Sequence, residues 1–177
     1  MNKSCRRISP RYDPQSKISS RDGFEKVPRI NVRRAETRDF SRIADFNMRM
    51  AEETERKKLN AKDACKGVEA VLNDPGKGFY LVAETGNSRE IVGQLLVTFE
   101  WSDWRNKNFW WIQSVFVEPE ARNQGVFTQL YRKLGDLADS EGQVCGFRLY
   151  VDKSNVAAKR VYESIGFRMT SYEIYEK

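Results

Sequence analysis

Residues 117–131, "VEPEARNQGVFTQLY", put Arg122, Asn123, Gln124 and Gly125 between a β-rich run ending at Val117 and an apolar run with helical spacing. A strand, a tight polar turn with glycine and then a helix leave the N–H groups of the first helical turn without carbonyl partners, and such a turn can hold an anion. The pattern is neither a dinucleotide fingerprint, which needs three glycines at fixed spacing, nor a Walker loop, which needs Gly-Lys-Ser or Gly-Lys-Thr. Further on, "NVAAKRVYESIGF" contains Asn155, Ala158, Tyr162, Gly166 and Phe167. Two helical turns separate Asn155 from Tyr162, so the two share a face, and Gly166 can close the helix in a left-handed conformation before a strand.

Other chemistry is excluded by composition. The chain has no histidine, which removes Ser/His/Asp and Cys/His nucleophile systems and His-containing metal sites. Cys5, Cys65 and Cys145 are odd in number and far apart, so neither a zinc site nor a disulfide framework is expected, and Cys65 and Cys145 read as small buried apolar residues. A reducing, cytoplasmic compartment follows from that cysteine usage. Proton acceptors must then be carboxylates or water: Glu100 at a strand end, Asp103 in the loop after it, or Glu118, each of which also reads as a solvated surface group. Trp101, Trp104, Trp110 and Trp111 crowd into "EWSDWRNKNFWW". Aromatic faces beside carboxylates can hold an ammonium group, and they can equally fill a small core or a dimer contact.

The elements that must position these groups follow from periodicity. At 177 residues the chain has room for one core of ordinary domain size. Residues 1–30 hold eight Lys or Arg against three Asp or Glu, which is +5 of the net +6. With no apolar periodicity, residues 1–29 are expected to form a flexible basic extension, leaving 30–177 as a single, nearly neutral domain. Neither a secretory signal nor a membrane span is expected, and the extension leaves organelle targeting open.

A strand is predicted at 31–34. Helices follow from about 40, capped by Thr37 or Asp39 and continued by "AEETERKKL" (51–59) as a charged, exposed end, and at 61–72, ended by "NDPGKG". Three antiparallel strands are predicted at 79–84, 91–100 and 109–117. Then come a helix at 127–139, a strand at 147–151, a helix at 155–165 and closing strands at 167–169 and 171–175. The order is that of an α+β sheet.

Together the two motifs resemble the GCN5-related N-acetyltransferase family. The likeness spans about 30–175 and is most specific at 115–130 and 155–167. It implies an α/β/α sandwich whose central sheet is mixed, mostly antiparallel and splayed. The family turn is Gln/Arg-x-x-Gly-x-Gly/Ala; Arg122 and Gly125 match, and Phe127 replaces the final small residue.

The resemblance further implies acetyl-CoA as co-substrate and no metal. The N–H groups of Asn123, Gln124, Gly125, Val126, Phe127 and Thr128 would hold its pyrophosphate. Val115 and Val117 would pair with the pantetheine amides, an N–H near Phe116 or Val117 would polarise the thioester carbonyl, and Asn155 would bond the pantetheine region. Tyr162 takes the family's general-acid position, and Glu100 is the first candidate for the base.

The acceptor would be a primary amine on a small molecule or polypeptide. Glu53, Trp101, Asp103 and Trp104 are candidates to line its site, although the Glu53 segment also reads as a solvated helix face. A homodimer is compatible with this reading, and nucleic acid is not an expected substrate. The rival function is a non-catalytic acyl-CoA sensor whose basic tail contacts a polyanion.

Overall fold

A computed structural model describes residues 29–86 and 88–177. The expected flexible extension over 1–29 lies almost wholly outside the described residues. Strand β1 (Ile30–Arg34) is followed by a short 3-10 turn, then by helices α1 (Phe40–Glu55) and α2 (Ala61–Asn73). Strands β2 (Phe79–Thr85), β3 (Ile91–Ser102) and β4 (Lys107–Val117) come next. The chain continues through α3 (Val126–Glu141), β5 (Val144–Leu149) and α4 (Val156–Ser164).

The sheet order is β1-β2-β3-β4-β5. The first three pairings are antiparallel and the last, β4 with β5, is parallel. The apolar run "FYLVA" of β2 is buried on both faces because helices cover the sheet from either side. On one face α3 packs Val126, Leu130, Leu134 and Ala138 against Leu81, Leu95, Trp110 and Ile112. On the other, Ile43, Phe46 and Val68 of α1 and α2 meet Tyr80, Val82 and Phe116. Trp110 is therefore a core residue. Cys65 and Cys145 are half-buried rather than fully so.

The two expected closing strands are not formed. From Arg168 onward no residue joins the sheet, and Met169, Tyr172, Ile174 and Tyr175 are exposed. The alternation of apolar residues there describes a segment able to pair, but the described chain offers it no partner. Among the described residues no helix is long and apolar enough to cross a membrane.

The start of α1 is fixed to the sheet by charge. Arg33 of β1 donates to Asp39 at 2.6 and 2.9 Å and to Glu84 of β2 at 2.5 and 2.8 Å. Burial opposes ionisation of Asp39, yet the Arg33 guanidinium and the Glu36 N–H outweigh it and hold the carboxyl below its usual range. A carboxylate with a depressed folded pKa contributes stability above its unfolded value, and that contribution is lost as pH falls through the folded value. Removing one partner of a buried pair leaves the other under-compensated, so Asp39→Ala is expected to cost about 2–3 kcal/mol at pH 7. Urea unfolding of the two proteins measures it, and their difference should close as the pH is lowered below about 4.

Candidate functional site

The site is built where β4 outruns β5. The parallel ladder runs from Asn108↔Val144 to Ile112↔Leu149 and stops, while on its other edge β4 stays paired to β3 as far as Val117↔Gly93. Gln113 to Val117 thus have one paired edge and one open edge. In the same stretch a bulge interrupts the β3 register, and Ser114 takes a left-handed backbone with φ 47°. Bulges re-aim the groups of a strand. The extra residue here turns the backbone around Val115 relative to the regular ladder.

Immediately beyond Val117 a short 3-10 turn, Pro119–Ala121, leads into the polar turn. Asn123 (φ 61°) and Gly125 (φ 76°) are both left-handed, and Gly125 is the residue before α3. The first-turn amides of Val126, Phe127 and Thr128 have no carbonyl one turn earlier within the helix. A Cβ on Gly125 would meet nothing within 4 Å, so the approach to these amides is open. Gly93 matters on the opposite side. A Cβ there would lie 2.8 Å from Val126 Cγ1, and its absence lets the start of α3 sit directly on β3. The pattern fits the pyrophosphate and pantetheine of a coenzyme A ester: a row of unpaired N–H donors next to an open strand edge.

Phe127 lies edge-on to Tyr162 at 5.5 Å and stacks with Tyr131 at 6.4 Å. The ring therefore turns towards α4, and the bulk that departs from the family consensus serves as a contact between two helices. Tyr162 is half-buried, also touches Phe167, and has no hydrogen bond to its hydroxyl among the described residues. Burial pushes its phenol above the usual range. Asn155 caps α4, its Oδ1 accepting from the Ala158 N–H at 3.0 Å, which leaves the side-chain NH2 for other partners.

Arg122 donates to the Val117 carbonyl at 3.0 Å and to Glu53 of α1 at 2.7 Å. Glu53 is thereby tied to the turn. Gln124 bonds the Glu120 carbonyl at 2.8 Å and shapes the same loop.

The candidate carboxylates and tryptophans are placed differently from expectation. Trp101, Asp103 and Trp104 lie at the tip of the β3–β4 hairpin, where Ser102 pairs with Lys107, and Trp104 is 85 % exposed. Six strand positions separate that tip from Gln113, about 20 Å, so these three do not meet the open edge. Glu100 is held by Arg148 at 2.6 and 2.8 Å and by the Trp111 indole N–H at 2.5 Å. It lies four residues after Leu96 along β3, about 13 Å from the bulge. Both facts disqualify it as a free base at the bulge. Glu118 is clamped by Arg49 at 2.6 and 2.8 Å and by Arg42 at 2.7 Å. The Arg49 hydrogen bonds keep its carboxyl below the usual range, making it a poor proton acceptor.

Several residues that were not among the expected site residues border it. A cavity of about 270 Å3 opens between α1, α2 and the bulge, with Met50, Leu59 and Leu96 as apolar walls and Asn47, Tyr80 and Ser114 as polar ones. Behind it Gln94, fully buried, donates to Asn47 at 2.7 Å, and Asn47 donates to the Tyr80 hydroxyl at 3.1 Å. A glutamine inside the apolar run "IVGQLLV" was the available signal for this network. Arg148 lies over Phe109 at 3.7 Å and Trp111 stacks with Tyr150 at 4.5 Å, a cluster with no local sequence signature.

Comparison with known proteins bears on this geometry. The model of the acetyltransferase (GNAT) family matches residues 34–167. A solved structure from Clostridium difficile 630, described as a possible acetyltransferase, is 42 % identical with a TM-score of 0.77, over 84 % of this chain and 96 % of that one. A predicted acetyltransferase of Clostridium acetobutylicum, solved with acetyl-CoA, shares the fold at 20 % identity and a TM-score of 0.69, over 84 % of this chain and 96 % of that one. Among curated proteins, the thialysine N-epsilon-acetyltransferase of Bos taurus is 31 % identical over 77 residues, which is 43 % of this chain and 44 % of that protein. The matched stretch thus spans less than half the length of that relative. On the extent of the family match, which takes in both the splayed strand and the α4 tyrosine, this chain belongs to the acetyltransferase (GNAT) family.

Proposed function

We propose that this chain is an acetyl-CoA-dependent N-acetyltransferase that passes the acetyl group directly to a primary amine while both substrates are bound. One observation carries the reading: β4 loses its β5 partner beyond Ile112 at the same end of the sheet where α3 presents its first-turn N–H groups. Acetyl-CoA, when bound, supplies the activated acyl carbon and a thiolate leaving group.

This chain's own groups do the rest. The amides of Asn123 to Thr128 and the positive end of α3 hold the pyrophosphate. The open edge at Val115 and Val117 pairs with the pantetheine amides, and the side-chain NH2 of Asn155 is free to bond the same arm. An N–H at Phe116 or Val117 donates to the thioester carbonyl oxygen and stabilises the charge that builds on it. As the C–N bond forms and the C–S bond breaks, the Tyr162 hydroxyl gives its proton to the sulfur.

The proton lost by the amine goes to water on the side of the α1–α2 cavity, because Glu100 and Glu118 are both committed to arginines. The acceptor enters from that side. It is an amine of a small molecule or a polypeptide; thialysine, the substrate named for the bovine relative, belongs in the first panel of acceptors.

Calorimetric titration with acetyl-CoA followed by thiol release against amines tests the whole reading. Micromolar binding and turnover on at least one amine are expected, and absence of acetyl-CoA binding would overturn it. Replacing Tyr162 with Phe should lower kcat by about 100-fold or more with acetyl-CoA affinity kept; unchanged thiol release would remove Tyr162 from the mechanism. Because burial raises the phenol above its usual value near 10, the acid stays protonated through neutral and mildly alkaline pH. The rate should therefore climb with deprotonation of the amine and show no alkaline fall below about pH 10. Gly125→Asp places a carboxylate in the open turn; the protein should fold, with about 1–2 kcal/mol lost to the left-handed backbone, while calorimetry shows acetyl-CoA binding abolished.

A further inference from the structure

The two faces of the sheet are not covered alike. Leu95, Val97, Trp110 and Ile112 lie in the core against α3. The alternate side chains of the same strands take the other face, where Leu96 and Phe116 pack on the α1–α2 cluster. From Leu96 towards the hairpin, Thr98 and Glu100 of β3, Trp111 and Gln113 of β4 and Arg148 of β5 are only half-buried. The register makes them neighbours, with Thr98 opposite Trp111 and Trp111 opposite Arg148. This strip begins beside the bulge at Ser114 and runs away from it.

Most polar groups of the strip are spent on each other. Gln113 donates to Thr98 Oγ1 at 2.6 Å, and the Trp111 indole N–H donates to Glu100 at 2.5 Å. Arg148 is the exception. It gives Glu100 a single nitrogen, Nη1, which donates to both carboxylate oxygens at 2.6 and 2.8 Å. Its Nε and Nη2 donate to nothing among the described residues, and together they form a fork that matches the two oxygens of a carboxylate. An ion pair serving the fold alone would gain by turning that fork to Glu100, because a paired contact is stronger than one nitrogen. Glu100 on one side and the Phe109 ring at 3.7 Å hold the guanidinium in position while about a third of the side chain stays exposed. Little rotamer freedom is then left to lose on binding.

We propose that the free fork of Arg148 binds a carboxylate on the acceptor, so that the enzyme acetylates the terminal amine of an ω-amino acid. The proposal rests on the acetyl-transfer reading above. Spacing sets the length of the acceptor. The guanidinium stands at the level of Glu100, about 13 Å from the bulge. A charge-assisted hydrogen bond of about 3 Å and an attack distance of about 3 Å leave about 7 Å between carboxylate oxygen and amine nitrogen. At about 1.2 Å of advance per bond in an extended chain, this is about six bonds, or about four methylenes. The α-amine of a free amino acid, about three bonds from its carboxylate oxygen, falls short. Trp111 and Leu96 offer the intervening methylenes an apolar surface. A single negative charge suits the fork, since Glu100 already sets one carboxylate on the guanidinium and a doubly charged phosphate would be repelled more strongly.

Thiol release with 5-aminopentanoate and with pentylamine tests this, because the two match in chain length and differ in the carboxylate. The kcat/KM for 5-aminopentanoate should be higher by about 10–100-fold, the range of one charge-assisted pair, and glycine should be a poorer acceptor than either. In Arg148→Gln the ratio of the two kcat/KM values should fall close to one, through KM rather than kcat, and Arg148→Lys should restore part of it. Circular dichroism should be unchanged in both variants, since Glu100 is exposed enough to stay solvated. Equal turnover of the two amines by the wild type overturns the proposal and leaves acetyl transfer standing. A preference that survives in Arg148→Gln does the same. Failure to bind acetyl-CoA, with no turnover of any amine, overturns the acetyl-transfer reading and this proposal with it.

Discussion

The parallel pairing of β4 with β5 is the constraint from which the rest of the site follows. Parallel neighbours cannot be joined by a hairpin; the chain must cross from the end of one strand back to the start of the next, and a helix is the usual crossover. That crossover is α3, so its N-terminus lies beyond the carboxyl end of β4. Helix dipole, unpaired first-turn amides and the end of a strand are brought together by connectivity alone. What is particular to this chain is that β5 ends at Leu149 while β4 runs on to Val117. Had β5 continued, its N–H and C=O groups would have closed the edge of β4, leaving an ordinary doubly wound corner with an anion site and no slot for an extended ligand.

Electrostatics then stabilises the corner on the side away from α3. Glu118, one residue after β4, receives Arg49 and Arg42 from α1, and these guanidiniums also lie over Phe116 and Phe46 at 5.0 and 4.5 Å. The strand end, the helix on the opposite face and the turn are held by one cluster in which each cation has both a carboxylate and a ring. Such a cluster positions more than it stabilises, since the desolvation of each charge offsets much of its Coulombic gain. Its consequence is geometric. The Phe116 and Val117 amides are fixed relative to α1, and α1 borders the cavity beside the bulge.

Much of this was legible in the sequence where a signal is local. The helices α1 to α4 and strands β1 to β4 follow apolar period, capping residues and glycine stops, and each observed boundary lies within a few residues of its expectation. The turn and Tyr162 were legible as motifs, but the contact between Phe127 and Tyr162 was not, because it joins α3 to α4 through tertiary packing. Glu100 illustrates the converse. Its position at the end of a β-rich run suggested a free carboxylate, whereas Arg148, forty-eight residues away, occupies it. The closing strands failed for a further reason: alternation shows that a segment can pair, and it says nothing about whether an edge is available within the same chain.

Arg122 joins the two halves of the site. In the structure described here it spans the Val117 carbonyl and Glu53, linking the end of β4 and the turn to the C-terminal part of α1. Both Arg122 and Glu53 are more than a third exposed, so their pairing is worth at most about 1 kcal/mol and can be given up at little cost. A pyrophosphate in the turn is a stronger partner for a guanidinium than an exposed carboxylate is, because it carries more charge and offers paired oxygens. Anion binding would then draw Arg122 off Glu53 and free that carboxylate on α1, the helix that borders the cavity beside the bulge. A weak surface ion pair is thus suited to linking the turn before α3 to α1, which a strong buried pair could not do without costing the fold its stability.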